Sequence, residues 1–192
     1  MAKTQPLKEL DQINALKEYF WNRGEIRNYA LIVVGLNTSL RISDILTLQW
    51  QDVYNFKTQT YRQHIYVTEK KTGKQNTVAI NAAILEVLDL LKNNENPILP
   101  GSFLFTSRKG DNKPITRNYA YTIIKNASRT LGFEDNISCH SLRKTFGYQA
   151  WKQGVPPALL MSIYNHSSYE ITKRYLGISQ DERDQVFMNM SL

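Results

Sequence analysis

The chain is 192 residues long, a length that favours one domain with a sizeable core. Its 24 lysines and arginines against 17 acids leave a net charge of +7, and 42% hydrophobic residues exclude a disordered basic tail, so a folded domain with a polyanionic partner is the reading to test. A single cysteine, Cys139, excludes an intrachain disulfide framework and a Cys-rich zinc site; no apolar run reaches the roughly 18 residues of a membrane span, and the start MAKTQPLKEL lacks the apolar segment of a signal peptide.

In chain order, Leu7, Leu10, Ile13, Leu16 and Phe20 recur at helical spacing, and residues 26–36 form a second apolar stretch. Asn37, Thr38 and Ser39 read as a helix stop and a new start, with the next helix over residues 40–48. Residues 61–67 and 76–80 alternate as strands, joined by the turn Lys70-Lys71-Thr72-Gly73-Lys74, in which Gly73 supplies positive φ. A helix over 82–92 and a Pro/Gly/Asn-rich connection over 93–115 follow. Beyond it the chain reads as helical to its end. Helix starts fall at Thr116, Ser138, Pro156-Pro157, Ser167 and Ser179, and stops at Gly132, Gly154, Asn165 and Gly177. Ser167…Glu170 and Ser179…Glu182 fit capping boxes. The expected fold is mainly α with a small three-stranded antiparallel sheet (α+β).

Three segments place polar residues where packing favours apolar ones. In the 40–48 helix, Asp44 follows Arg41 by three positions, so the two share a half-buried face as a structural ion pair or as part of an anion site. His140 and Arg143 stand three apart on the helix after Ser138, and the small residues Gly147 and Ala150 continue that face. This suits close approach by another element or a ligand; a solvated helix start is the plainer alternative. Residues 157–176 read as two helices around the turn His166-Ser167-Ser168, an αα-hairpin or a helix-turn-helix DNA reader, with Tyr175 on the last turn beside Lys173 and Arg174.

Arg41, His140, Arg143, His166, Tyr175 and a hairpin lysine form a set rich in phosphate binders and poor in metal ligands. Paired acids of a two-metal nuclease are absent, and the three histidines lack zinc-site spacing. For such a set, chemistry on a phosphodiester means covalent catalysis by tyrosine with no metal or other cofactor. A phenol of pKa about 10 needs basic neighbours to lose its proton.

The motifs SLRISDILTL around Arg41, KKTGK on the hairpin, HSLRK with His140 and Arg143, NHSS with His166, and TKRYLGI with Tyr175 nine residues later stand in this order over residues 38–177. Together they resemble the catalytic domain of tyrosine recombinases of the phage integrase family. That resemblance implies a site-specific DNA recombinase or integrase that cuts and rejoins strands through a 3′-phosphotyrosine on Tyr175, without metal or ATP. It implies that Arg41 and Arg143 bind the scissile phosphate and that Asp44 steadies Arg41. Lys71 protonates the leaving 5′-oxygen, with Lys70 and Lys74 as rivals. His140 manages the proton of the nucleophile, and His166 hydrogen-bonds the phosphate. Tyr164 and Tyr169 lack the spacing to His166. Asn165 stands where the family commonly has glycine, and asparagine tolerates the left-handed conformation.

Lys70, Lys74, Lys144, Lys173 and Arg174 are the expected DNA-binding cations. The resemblance further implies a catalytic domain over 1–178 and a helical tail over 179–192, whose Val186, Phe187 and Met190 dock on their own domain or pass between protomers. The family's separate N-terminal DNA clamp, of about a hundred residues, is not expected here. Expected partners are double-stranded DNA, three further copies in a tetramer on DNA, and accessory DNA-bending or directionality proteins, with no membrane; the expected location is the cytoplasm, at the bacterial nucleoid. A decayed recombinase that binds without cleaving and a type IB topoisomerase are the alternatives. A covalent adduct excludes the first, and relaxation of supercoiled DNA without a defined site marks the second.

Overall fold

The computed structural model describes residues 4–70, 73–94 and 97–190. Helix α1 (Leu10–Trp21) turns Leu16 and Phe20 inward against α2 (Ile26–Asn37), whose residues 30–36 are all buried. A helix apolar on every side belongs in the middle of a domain. The expected helix over 40–48 is shorter than its pattern suggested: α3 (Ile42–Ile45) and α4 (Trp50–Val53) are single turns, with the Trp50 ring fully buried.

The expected three-stranded sheet is replaced, among the described residues, by two antiparallel ribbons. Strands β1 (Tyr54–Asn55) and β2 (Thr60–Tyr61) pair with each other; β3 (His64–Thr68) and β4 (Gln75–Ala79) form the other ribbon, with Ile65 opposite Val78. The run 61–67 is divided because Tyr61 faces Tyr54 while His64 onward faces β4, so one stretch of sequence serves two ribbons. At the tip of the longer ribbon, Gly73 takes φ +67° and returns its N–H to the carbonyl of Glu69.

The remaining helices are α5 (Ala82–Asn94), α6 (Arg117–Thr130), α7 (Cys139–Lys152), α8 (Pro157–Tyr164), α9 (Tyr169–Leu176) and α10 (Ser179–Asn189). Thr116 caps α6 by accepting the Tyr119 N–H. Ser168 rather than Ser167 caps α9, through the Ile171 N–H, and α10 begins at Ser179 itself. Helix α2 is enclosed by α1, α5 and α7. Its contact with α7 is tight at Gly35, where a Cβ would lie 2.6 Å from the Leu142 side chain.

Gly147 on α7 plays the same part for α8 and α9. A Cβ there would lie 2.5 Å from both the Leu176 side chain and the Tyr164 hydroxyl, and that hydroxyl donates a 2.6 Å hydrogen bond to the Arg143 carbonyl. Gly147→Ala therefore overpacks this junction, and chemical denaturation should read a loss of about 1–3 kcal/mol. An unchanged denaturation midpoint would show that α8 and α9 yield freely.

Candidate active site

Three local features bring the site together. The first is the corner between α2 and α3. Ser39 is buried at φ +54°, the left-handed region that an L residue occupies only at a cost. This turn aims the Ser39 carbonyl at the Arg143 guanidinium, whose Nη1 donates to it. Arg41 follows in extended conformation, as the residue just before α3. Helical i, i+3 geometry therefore does not link it to Asp44, and the expected Arg41–Asp44 pairing is not what forms. The carboxylate facing Arg41 is Glu69, from the end of β3, with Oε2 at 2.5 Å from Nη1 and no exposed side-chain surface. Asp44 is also buried, but its Oδ1 accepts the Lys70 main-chain N–H at 3.2 Å and ties α3 to the hairpin.

The second feature is the N-terminus of α7, entered through Ser138, whose N–H donates to the Ser141 hydroxyl. His140 and Arg143 project from its first two turns toward one cavity, where the helix dipole favours an anion. Arg143 is only 3% exposed and stacks over the Tyr164 ring, 4.7 Å from its centroid. His140 is the exposed member of the set. Partial burial, and then Arg117, Lys144, Arg143 and Arg41, hold its pKa below the ordinary histidine value.

The third feature is the α8–α9 turn. Asn165 ends α8 in the left-handed conformation at φ +55°, and the His166 N–H closes the turn on the Met161 carbonyl at 3.0 Å. His166 Nδ1 lies 3.1 Å from the Thr172 hydroxyl. Burial, reinforced by Arg143 and Arg41, lowers its pKa as well. The half-buried Tyr175 ring stands on the last turn of α9, edge-on to His166 with centroids 5.3 Å apart. Burial raises its pKa, and Arg143 and Arg41 pull it back down, Arg143 also through a hydrogen bond to the phenol.

Arg41, His140, Arg143, His166 and Tyr175 thus line one cavity of about 380 Å³, together with Thr4 and Lys144. Among the described residues, no three His, Cys, Asp or Glu side chains cluster as a metal site. Cys139 stands apart from this chemistry: burial pushes its thiol up to about 11.

The expected DNA-binding cations divide. Lys71 lies outside the described residues, and Lys70 and Lys74 are exposed on the hairpin. Arg174 is exposed on α9. Lys144 is not a surface cation: it is 3% exposed and its Nζ donates to the Thr4 carbonyl. Lys173 is neutralised within the chain by Glu170 at 2.8 Å and Glu182 at 3.3 Å, which leaves it a poor phosphate contact. Sequence reasoning passed over Glu69, Thr4 and the exposed Arg117, whose charge reaches His140 from the start of α6. The one signal for Glu69 was its place between an apolar strand and the hairpin lysines.

The sequence profile described as the phage integrase family matches residues 6–182. The chain belongs to the phage integrase family. A probable integrase/recombinase YoeC of Bacillus subtilis (strain 168) is 40% identical over 185 residues, covering 94% of this chain and 93% of the relative. Tyrosine recombinase XerH of Campylobacter jejuni is 25% identical over 184 residues, covering 95% of this chain and 49% of the relative. The chain therefore spans nearly the whole of one phage integrase relative and about half of the other. Among solved structures, XerA recombinase superposes with a TM-score of 0.73 at 19% identity, over 100% of this chain and 68% of that one. XerH bound to a palindromic difH substrate in a post-cleavage complex gives 0.70 at 20% identity, over 91% and 50%. At such identities the likeness is one of fold, and it is the fold expected of the family.

Proposed function

We propose that this member of the phage integrase family is a tyrosine-type site-specific DNA recombinase whose nucleophile is Tyr175. The observation that carries this reading is the convergence of two arginines, two histidines and one tyrosine on a single cavity. Arg41 and Arg143 present planar forks to the non-bridging oxygens of the scissile phosphate and neutralise the charge that grows in the pentacoordinate transition state. Glu69 holds Arg41 in place. His140 takes the phenolic proton. The Tyr175 oxygen bonds to phosphorus, the bond from phosphorus to the 5′-oxygen breaks, and Lys71 protonates that oxygen. His166 hydrogen-bonds the phosphate. One phosphodiester is exchanged for another, so a 5′-hydroxyl can reverse the step and rejoin the strand.

DNA is the partner that this site fits. Assembly as a tetramer is part of the same proposal, supported by α10: Val186, Phe187, Met188 and Met190 are between 62% and 86% exposed, an apolar surface that a second copy would cover. Accessory DNA-bending or directionality proteins would act on that assembly. No helix among the described residues is long and apolar enough to cross a membrane.

The test is a nicked suicide substrate carrying the ends of the native mobile element. Loss of the short fragment beyond the nick traps the intermediate, so a protein–DNA adduct that withstands denaturation and yields to protease is expected. Tight binding with no adduct would leave a DNA-binding protein, and equal relaxation of any supercoiled plasmid would mark a topoisomerase.

A further inference from the structure

Lys144, directly after Arg143, is an unusual residue to find 3% exposed, because burying an ammonium is expensive without compensation. Its Nζ donates to the Thr4 main-chain carbonyl at 2.5 Å and lies over the face of the Tyr175 ring, 5.3 Å from the centroid. Thr4 is brought there by a strap over residues 4–8. The Gln5 N–H donates to the Asn136 carbonyl, the Leu7 N–H donates to the Thr145 hydroxyl at 2.8 Å, and Gln149 Nε2 donates to the Lys8 carbonyl at 2.8 Å. Lys8 then pairs with Asp181 at 2.7 Å, so the strap joins α7 to the start of α10 across the helix that carries the nucleophile.

We propose that Lys144 is a positioning residue for the Tyr175 nucleophile: held by the Thr4 carbonyl against the ring face, its ammonium stabilises the phenolate formed as the proton passes to His140. The proposal rests on the recombinase reading and adds a residue to it. Among the described residues, the titratable and charged groups around Tyr175 are His140, Arg143 and Lys144 from α7, Arg41 with its partner Glu69, His166 from the α8–α9 turn, and Tyr164 from α8. On its own helix, Lys173 is paired with Glu170 and Glu182, and Arg174 is exposed. Burial opposes ionisation of the phenol, and the two arginines ease it. Once a scissile phosphate is bound, its negative charge offsets theirs at the moment the proton must leave. Lys144 lies over the ring face rather than in the arginine fork, where an ammonium acts on the phenolate directly. A cation over an aromatic face is attracted even to the neutral ring, and more strongly to the anion.

Single-turnover cleavage of the suicide substrate is measured against pH for the wild type, Lys144→Met and Lys144→Arg, with DNA affinity measured separately. For Lys144→Met the rising limb of the profile should move to higher pH by about one unit, an effect of about tenfold at neutral pH, with the rate regained in alkali and affinity little changed. Lys144→Arg should bring the limb back toward the wild type. Incorporating a more acidic fluorotyrosine should rescue Lys144→Met at neutral pH, which a purely structural lysine would not allow. An equal loss at every pH, or a loss carried by affinity alone, overturns the proposal. Should Lys144→Met fail to fold by circular dichroism, Lys144→Arg decides: a limb displaced although the charge is kept also overturns it. No adduct from the wild type defeats the recombinase reading and this proposal together; a wild-type adduct with an unshifted Lys144→Met profile defeats this proposal alone.

Discussion

Replacing Tyr175 by phenylalanine should abolish the covalent DNA adduct and leave the fold intact. The substitution removes one hydroxyl and no ring, so the edge-on contact with His166 and the tilted contact with Tyr164 both remain. Without the phenolic oxygen there is no bond to phosphorus, and strand cleavage should fall by at least on the order of 10⁴-fold, the scale seen when a nucleophile is removed from a site whose other groups act with it. Two neighbouring tyrosines are the candidates to substitute, and their hydroxyls are engaged elsewhere. Tyr164 is fully buried, its hydroxyl donates to the Arg143 carbonyl, and burial drives its pKa far upward. The Tyr169 hydroxyl donates to Glu182 at 3.3 Å, and burial together with that carboxylate raises its pKa too. Denaturing gels of the suicide-substrate reaction, with the melting temperature as a control, check the result. An adduct persisting in Tyr175→Phe at wild-type yield would falsify the assignment of the nucleophile.

What could be read from the sequence follows how local each feature is. His140 and Arg143 could be placed together because α7 is a regular helix through both, and regular helices put i and i+3 on one face. The left-handed Asn165 was legible because asparagine is one of the few residues that end a helix that way. The same i, i+3 reasoning fails at Arg41 and Asp44, since the helix starts one residue after Arg41. Glu69 meets Arg41 only through the folding of the ribbon against the α2–α3 corner, a contact between distant parts of the chain that periodicity does not encode. Lys144 shows the limit of counting charge: one of the lysines behind the +7 total is inside the molecule, between a strap carbonyl and a tyrosine ring. The division of residues 61–67 between two ribbons was hidden for a related reason. Alternation marks a strand but does not name its partner.

Arg143→Ala should reduce cleavage by on the order of 10²–10³-fold at saturating DNA, the usual consequence of removing one donor aimed at transition-state charge. Here the donor is also structural, so the variant needs a second measurement. Truncation leaves the buried Ser39 carbonyl without its guanidinium partner and strips the cation from the Tyr164 face, and an unsatisfied buried acceptor costs about 1–3 kcal/mol. Denaturation should therefore show a weakened fold, and cleavage must be measured well below the lowered melting temperature. Arg143→Lys separates the two effects. It keeps a positive charge in the same place and can restore much of the contact with Ser39, but a single ammonium cannot reproduce the planar fork that meets two phosphate oxygens at once. Stability should then recover while cleavage stays well below wild type. If cleavage returned in step with stability, Arg143 would serve to brace Ser39 and Tyr164 rather than to bind phosphate, and the burden of transition-state charge would shift to Arg41, whose fork is held by Glu69 and lines the same cavity.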